Sequence, residues 1–231
     1  TLLSAGAVGD LSKDAHELVT TAENEIERLT KLVNDLLDVA KIEAGKMDMS
    51  LQEIAIQPVI KRSISSVGNF AEQHGVALQT EECAARVVGD PERLIQVLIN
   101  LISNAVKFSA PQSTVSITAK PVDDGWLEVR VTDHGRGVPP EHREAIFQRF
   151  HQVEGTDATE KRGTGLGLPI CKTIIDQHGG TIGVESEVGK GSSFWFRIPL
   201  VVPARTNGAT KEGAAAKISE SISRAGTAEH G

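Results

Sequence analysis

Long apolar runs are missing from this chain. No stretch in its 231 residues approaches the roughly 18 apolar residues of a membrane-spanning helix, and no charged-then-apolar leader opens it. A basic excess is missing too. The 24 Lys and Arg stand against 31 Asp and Glu, a net charge of −7, so the clustered basic face of a nucleic-acid binder is not expected, and the charge serves solubility. Cysteine is scarce. Cys83 and Cys171 lie far apart without metal spacing, which fits a reducing compartment and two small core residues. The first residue is Thr1 rather than Met, so a piece of a longer protein is expected. What remains, 39% hydrophobic and 24% charged, suits a globular domain with a smaller element attached.

The smaller element comes first. From Ala15 to Lys46 the sequence reads as one long helix, with Ile26, Leu29, Val33, Leu36 and Ala40 spaced three and four apart, an a/d stripe. Leu32 and Leu37 widen it toward a bundle-facing surface, and Gly45 suits the C-terminal cap. From Leu51 to Leu200 strand and helix signals alternate. Strands are expected at Leu51–Ile56, Val76–Gln79, Arg86–Val88, Ser113–Lys120, Trp126–Thr132, Thr181–Glu185 and Ser192–Pro199. Helices are expected at Pro58–His74, from Pro91 to Lys107 behind an Asp90 cap, and at Thr164–His178. Such a mixture predicts a layered α/β sandwich with a mixed sheet. From Pro203 onward Ala, Gly, Ser, Thr, Lys and Glu dominate, a composition that reads as linker or tail.

Four groups of residues carry candidate chemistry. On the helix from Pro91, Asn100, Asn104 and Lys107 share one face while Leu94, Leu98, Leu101 and Ala105 point elsewhere. A carboxamide oxygen suits Mg²⁺ beside phosphates, and an ammonium suits phosphate oxygens; a solvated helix face is the plainer reading. Asp133-His134-Gly135-Arg136-Gly137 closes a strand, where a carboxylate can accept from an exocyclic amine such as adenine's, although Asp-X-Gly is also a common turn. Gly163-Thr164-Gly165-Leu166-Gly167-Leu168-Pro169 opens a helix, where backbone N–H groups can meet phosphates or simply cap. Between these, Phe147-Gln148-Arg149-Phe150 precedes a polar stretch, Gly155 to Arg162. Its two Phe can anchor a lid, and Arg149 can reach a terminal phosphate.

The order of these groups is more specific than any one of them. Asn100 to Ser109 resembles the N box of sensor histidine kinases, Asp133 to Gly137 their G1 box, Phe147 to Phe150 their F box, and Gly163 to Leu168 their G2 box. Gly189-Lys190-Gly191-Ser192-Ser193-Phe194 resembles the final G3-type strand, and Asn34 to Gly45 the second helix of the dimerisation and histidine-phosphotransfer domain. The resemblance implies a two-layer α/β sandwich of the Bergerat ATP-binding kind, preceded by a long helix of a dimeric helical bundle. It implies ATP and Mg²⁺ as cofactors. Asp133 would take the adenine amine, with Ser193 helping through water, and Asn104 would ligate Mg²⁺ beside Asn100. Lys107 and Arg149 would neutralise phosphate charge. Gly135, Gly137, Phe150 and the loop Gly163, Thr164, Gly165, Leu166, Gly167 would complete the nucleotide site.

By the resemblance, Asn100 stands where hydrolytic relatives carry a general-base Glu, which favours phosphoryl transfer to histidine over an ATPase, while the intact Asn104, Lys107, Asp133 and glycines speak against an inert scaffold. The family's acceptor box, His-Glu-Leu-Arg-Thr-Pro, is only partly matched by His16-Glu17-Leu18-Val19-Thr20-Thr21, and His16 leads straight into the second-helix pattern. The expected layout is therefore the end of a first helix at Thr1–Ala7, a turn at Val8–Asp14 and an acceptor histidine upstream. His74, His151 and His178 read as surface or cap residues. Expected domains are 1–50, the end of the phosphotransfer hairpin; 51–202, the catalytic domain; and 203–231, the tail. Expected partners are a second copy of the chain and a response-regulator receiver domain, with no nucleic acid and no membrane contact, in the cytoplasm.

Overall fold

The computed structural model describes residues 12–122, 125–151 and 164–201. The chain forms two compact units, Thr1–Met47 and Asp48–Gly231. The division thus falls at Met47 and not after residue 50, and the N–H of Ser50 already donates to Asp90 Oδ2 of the second unit at 2.9 Å.

The described part of the first unit is a helix, α1 (Lys13–Glu43), whose N-cap Ser12 accepts from the N–H of Ala15. At its end Gly45 adopts φ 62°, while the N–H groups of Gly45 and Lys46 donate to the carbonyls of Ile42 (3.0 Å) and Lys41 (2.8 Å). That paired closure satisfies the last carbonyls, as the Gly45 signal led one to expect. Lys13 and Asp14, expected in a turn, belong to the helix; residues 1–11, where the rest of that turn and the end of a first helix were expected, lie outside the described residues. Ile26, Leu29, Val33, Leu36 and Leu37 are 63, 59, 56, 60 and 54% exposed, so the apolar stripe is left open among the described residues. His16 is exposed in the first turn, its carbonyl accepting from the hydroxyl of Thr20.

The second unit runs β1 (Gln52–Ala55), α2 (Ile56–Gln73), β2 (Ala77–Thr80), β3 (Arg86–Gly89), α3 (Pro91–Phe108), β4 (Thr114–Val122), β5 (Trp126–Asp133), two 3-10 turns (Pro140–His142 and Ala145–Phe147), α4 (Gly167–Gln177), β6 (Thr181–Glu187) and β7 (Gly191–Pro199). Five strands form one sheet in the order β2-β4-β5-β7-β6. Only β2 and β4 run parallel; the other neighbours are antiparallel, so the sheet is mixed. Strand alternation sorts its faces. Leu127, Val129 and Val131 lie opposite Ile198, Phe196 and Phe194 on the buried face, with α2, α3 and α4 packed side by side and against the sheet. The opposite face is polar: Glu128 accepts from Arg130 (3.0 Å) and Arg197 (2.8 Å). This is the two-layer sandwich expected.

α3 is the central helix. Asp90 caps it by accepting from the N–H groups of Glu92 and Arg93, and Pro91 takes the first position. Leu94, Leu98 and Leu101 are fully buried, each worth about 2 kcal/mol of removed apolar surface. Ile95, Val97, Ile102 and Val106 are buried as well, so α3 is covered on most of its circumference and its Asn face is no ordinary solvated face. α2 starts at Ile56, placing Pro58 in its first turn, where a missing N–H is tolerated. α4 starts at Gly167 rather than Thr164, because the preceding residues form the glycine loop. The two expected strands β1 and β3 pair into a separate ribbon; the two 3-10 turns carry no strong periodic signal. Among the described residues no helix is long and apolar enough to cross a membrane.

Candidate active site

The site begins at the end of β5. Leu127, Val129 and Val131 face inward, and the same alternation turns Asp133 inward, 5% exposed. Its Oδ1 accepts from the N–H of Gly135 (2.8 Å) and of Ser192 (3.3 Å); neither bond uses Oδ2. Burial pushes the carboxyl above its ordinary value of 3.8, opposed by those two N–H groups and by the neighbouring His134.

Two glycines make this corner possible by close approach. A Cβ on Gly135 would collide with the carbonyl of Phe108 at the end of α3, and one on Gly191, at φ 109°, would overlap the carbonyl of Asp133. Through these contacts the end of α3, the loop after β5 and the start of β7 converge on one carboxylate. The loop continues against the β6–β7 turn, where the N–H of Gly189 donates to the carbonyl of Arg136 at 2.8 Å and Gly137 lies beside the carbonyl of Glu187.

α3 supplies the amides and a cation. Asn100 is 6% exposed, and a Cβ on Gly167, the first residue of α4, would stand 3.0 Å from its Oδ1. The N-box helix and the glycine loop are therefore in direct apposition. Asn104 and Lys107 follow on α3, half-buried. Lys107 Nζ lies 5.4 Å and the Arg136 guanidinium 4.6 Å from the centre of the Phe108 ring, which gathers two cations beside the Asp133 loop.

The glycine loop closes the other side. Thr164 Oγ1 accepts from the N–H of Leu166 at 3.1 Å, and the carbonyl of Gly165, itself at φ 71°, accepts from the N–H of Phe150 at 3.0 Å. Leu166 is buried and, at the N-cap of α4, offers no side-chain acceptor to the first-turn N–H groups, which suits an outside anion. Phe150 is 69% exposed at φ 61°, a conformation rare for an aromatic residue. Arg149 precedes it, exposed. Gly163 and the polar stretch Gly155–Arg162 lie outside the described residues.

The structure thus brings together Asn100 with Gly167, Asp133 with Gly135, and Phe150 with Gly165. It separates Ser193 from them. Ser193 pairs with Thr132 across β7 and β5, its hydroxyl 2.8 Å from Thr132 Oγ1 and 3.3 Å from Arg130, on the sheet face away from Asp133. Ser192, paired with Asp133 and 7% exposed, is the serine on the site's side. The signal that finds it is strand parity carried from Asp133 across the antiparallel register.

Two histidine expectations also change. His178 does cap α4, yet it is 5% exposed: Nδ1 meets the carbonyl of Ile174 at 2.7 Å and Nε2 accepts from the N–H of Asp90 at 3.0 Å, which fixes a neutral tautomer. Burial holds its pKa below the ordinary value, opposed by the Ile174 bond and the Asp90 charge. His151, expected at the surface, is half-buried against His142.

Comparison with known proteins bears on this arrangement. Residues 89–202 match the family model described as histidine kinase-, DNA gyrase B- and HSP90-like ATPase, and residues 1–45 match that of the His kinase A phospho-acceptor domain. The sensor protein SrrB of Staphylococcus aureus (strain N315) is 36% identical over 186 residues, 79% of this chain and 31% of SrrB, so the chain spans about a third of such curated relatives. Among solved structures, the catalytic domain of histidine kinase ThkA is 31% identical with a TM-score of 0.56, covering 65% of this chain and 96% of that one. Full-length ShkA in complex with AMPPNP is 32% identical with a TM-score of 0.68, over 84% of this chain and 41% of that one. The paired domain matches, the ThkA likeness over nearly that whole domain, and the apposed boxes around Asp133 agree: the chain belongs to the two-component sensor histidine kinases.

Proposed function

We propose that this chain is the ATP-binding catalytic part of a sensor histidine kinase, which transfers the γ-phosphoryl group of MgATP to a histidine for relay to a response-regulator aspartate. The observation that carries the reading is the buried Asp133 carboxylate, held by Oδ1 between two backbone N–H groups, with Oδ2 left to accept from the adenine amine. Ser192, on the same face, takes the water-mediated role first expected of Ser193. Asn104 provides the oxygen ligand for Mg²⁺, with Asn100 beside it, and Lys107 and Arg149 balance phosphate charge. The turn Thr164–Gly167 and the uncapped start of α4 meet the phosphates through N–H groups, with Phe150 fixing the entry to that loop. Gly135 and Gly137 shape the adenine side. ATP supplies the phosphoryl group; the residues around it orient, neutralise charge and exclude water.

The catalytic unit works with a second copy of the chain, paired through α1, and with a receiver domain, on the cytoplasmic side of the cell. We place the acceptor at a histidine other than His16, because the box at His16 lacks the Arg and Pro of the family pattern; the position of His16 in the first turn of α1 is compatible with that. Binding of a fluorescent ATP analogue tests the site. Affinity should fall at least tenfold in Asp133→Asn, since an unpaired charged contact is worth about 1.5–3 kcal/mol. Unchanged affinity would remove Asp133 from the adenine site. Label from γ-labelled MgATP in a kinase dimer that contains this domain should be acid-labile and base-stable, and should survive His16→Gln; its loss in that variant would make His16 the acceptor.

A further inference from the structure

We propose that His142 and His151 form a binding site for a borderline transition-metal ion of the Zn²⁺ class. His142 ends the 3-10 turn Pro140–His142. His151 follows Phe150, whose backbone is fixed by its bond to the Gly165 carbonyl. Nine residues apart in sequence, the two rings meet with His151 Nε2 3.2 Å from His142 Nδ1, ring centres 5.2 Å apart and planes inclined at 44°. Both residues are half-buried.

A tetrahedral metal with Zn–N bonds of about 2.0–2.1 Å places two imidazole nitrogens about 3.3 Å apart. The observed spacing is already that of a chelate, so little backbone movement is needed for an ion to enter. In the metal-free pair the N–H of one ring donates a hydrogen bond to the facing nitrogen of the other. On binding, the donor ring takes its other tautomer, its proton moves to the outer nitrogen, and both facing lone pairs become ligands. A neutral pair releases no net proton in this step.

Imidazole ligands select Zn²⁺, Cu²⁺ and Ni²⁺ and are poor partners for Mg²⁺, which prefers oxygen. The site is thus chemically distinct from the Mg²⁺ position proposed at Asn104. Among the described residues no third His, Cys, Asp or Glu joins the pair, so water completes the coordination and the site is open rather than structural. An ion there links the chain leaving the Phe147–Phe150 segment to the turn that follows the Asp133 loop.

The experiment titrates the full, metal-stripped chain with Zn²⁺ by calorimetry and with Co²⁺ by visible absorption, in excess Mg²⁺ and without nucleotide. One saturable equivalent in the micromolar range is expected, with the visible bands of low-coordinate Co²⁺. It should be lost in His142→Gln and in His151→Gln and retained in His74→Gln. In the unaltered chain, imidazole resonances of two of the seven histidines should shift together with Zn²⁺, a readout that needs no variant. No saturable equivalent, or one that survives both substitutions, overturns the proposal. Because no nucleotide is present, that failure leaves the kinase reading untouched.

Discussion

The Asp133 carboxyl is buried, and burial outweighs the two N–H groups and the His134 charge that favour its ionised form. A raised folded-state pKa means that the native fold binds the proton more tightly than the unfolded chain does. Stability from this group is therefore greatest below the ordinary 3.8 and falls as pH climbs through the folded value; at neutral pH the ionised carboxylate destabilises the fold. Asp133→Asn keeps the shape and an oxygen acceptor for Gly135 while removing the charge. The melting temperature at pH 7 should then hold or rise while ATP affinity collapses, and a calorimetric scan beside a binding titration checks both; a variant that loses stability along with affinity would make Asp133 a structural residue. His178 runs the other way. Its pKa is lowered by burial, so its contribution is present above the ordinary value of about 6.5 and is lost as pH falls from there through the folded value. Between pH 7 and pH 5.5 the melting temperature of the unaltered chain should fall more steeply than that of His178→Gln; parallel profiles would show that the Asp90–His178 bond is no pH-sensitive tie. The box residues were legible because glycines, amides and an acid recur in a fixed order. Ser192, His178 and the His142–His151 pair were not, because each is defined by a partner that only strand parity or tertiary packing supplies.

At the scale of elements, packing rather than propensity decides what happens to α3 and to the turn before β7. Gly191 holds φ 109°, and a Cβ there overlaps the Asp133 carbonyl, so Gly191→Ala strains the backbone and pushes β7 away from β5 at the nucleotide end. A loss of about 2–3 kcal/mol is expected, a fall of about 6–10 °C for a domain of this size. A drop under 2 °C would mean that the corner relaxes without loss. The long helix and the central helix were readable from their apolar spacing and one cap each: Gly45 closes α1, and Asp90-Pro91 opens α3; the Ser12 cap was not read, since it falls in the stretch expected as a turn. The two strands of the β1–β3 ribbon were readable as well, though not their pairing with each other; the start of α4 was less so. A glycine run marks a helix start only to within a turn.

At the scale of the whole molecule, the two units differ in what they leave exposed. The second buries most of its described large apolar residues between sheet and helices, among them Ile56, Leu98 and Phe196, which are fully buried. α1 instead presents Ile26, Leu29, Val33 and Leu36 at more than half exposure, in the three-and-four spacing that another helix covers. Burying each such side chain is worth about 1.5–3 kcal/mol, enough in aggregate to hold a dimer. The catalytic unit has no comparable need of a partner, since its helices and sheet cover one another. A chain beginning at Asp48, which keeps the Ser50–Asp90 bond, should therefore fold cooperatively, bind the ATP analogue as the full chain does, and sediment as a monomer. The full chain should sediment as a dimer that Leu29→Lys with Leu36→Lys dissociates. If the shortened chain still dimerises, the pairing surface lies in the catalytic unit; if it loses nucleotide affinity, the first unit contributes to the site, and the division of labour argued for the two units fails.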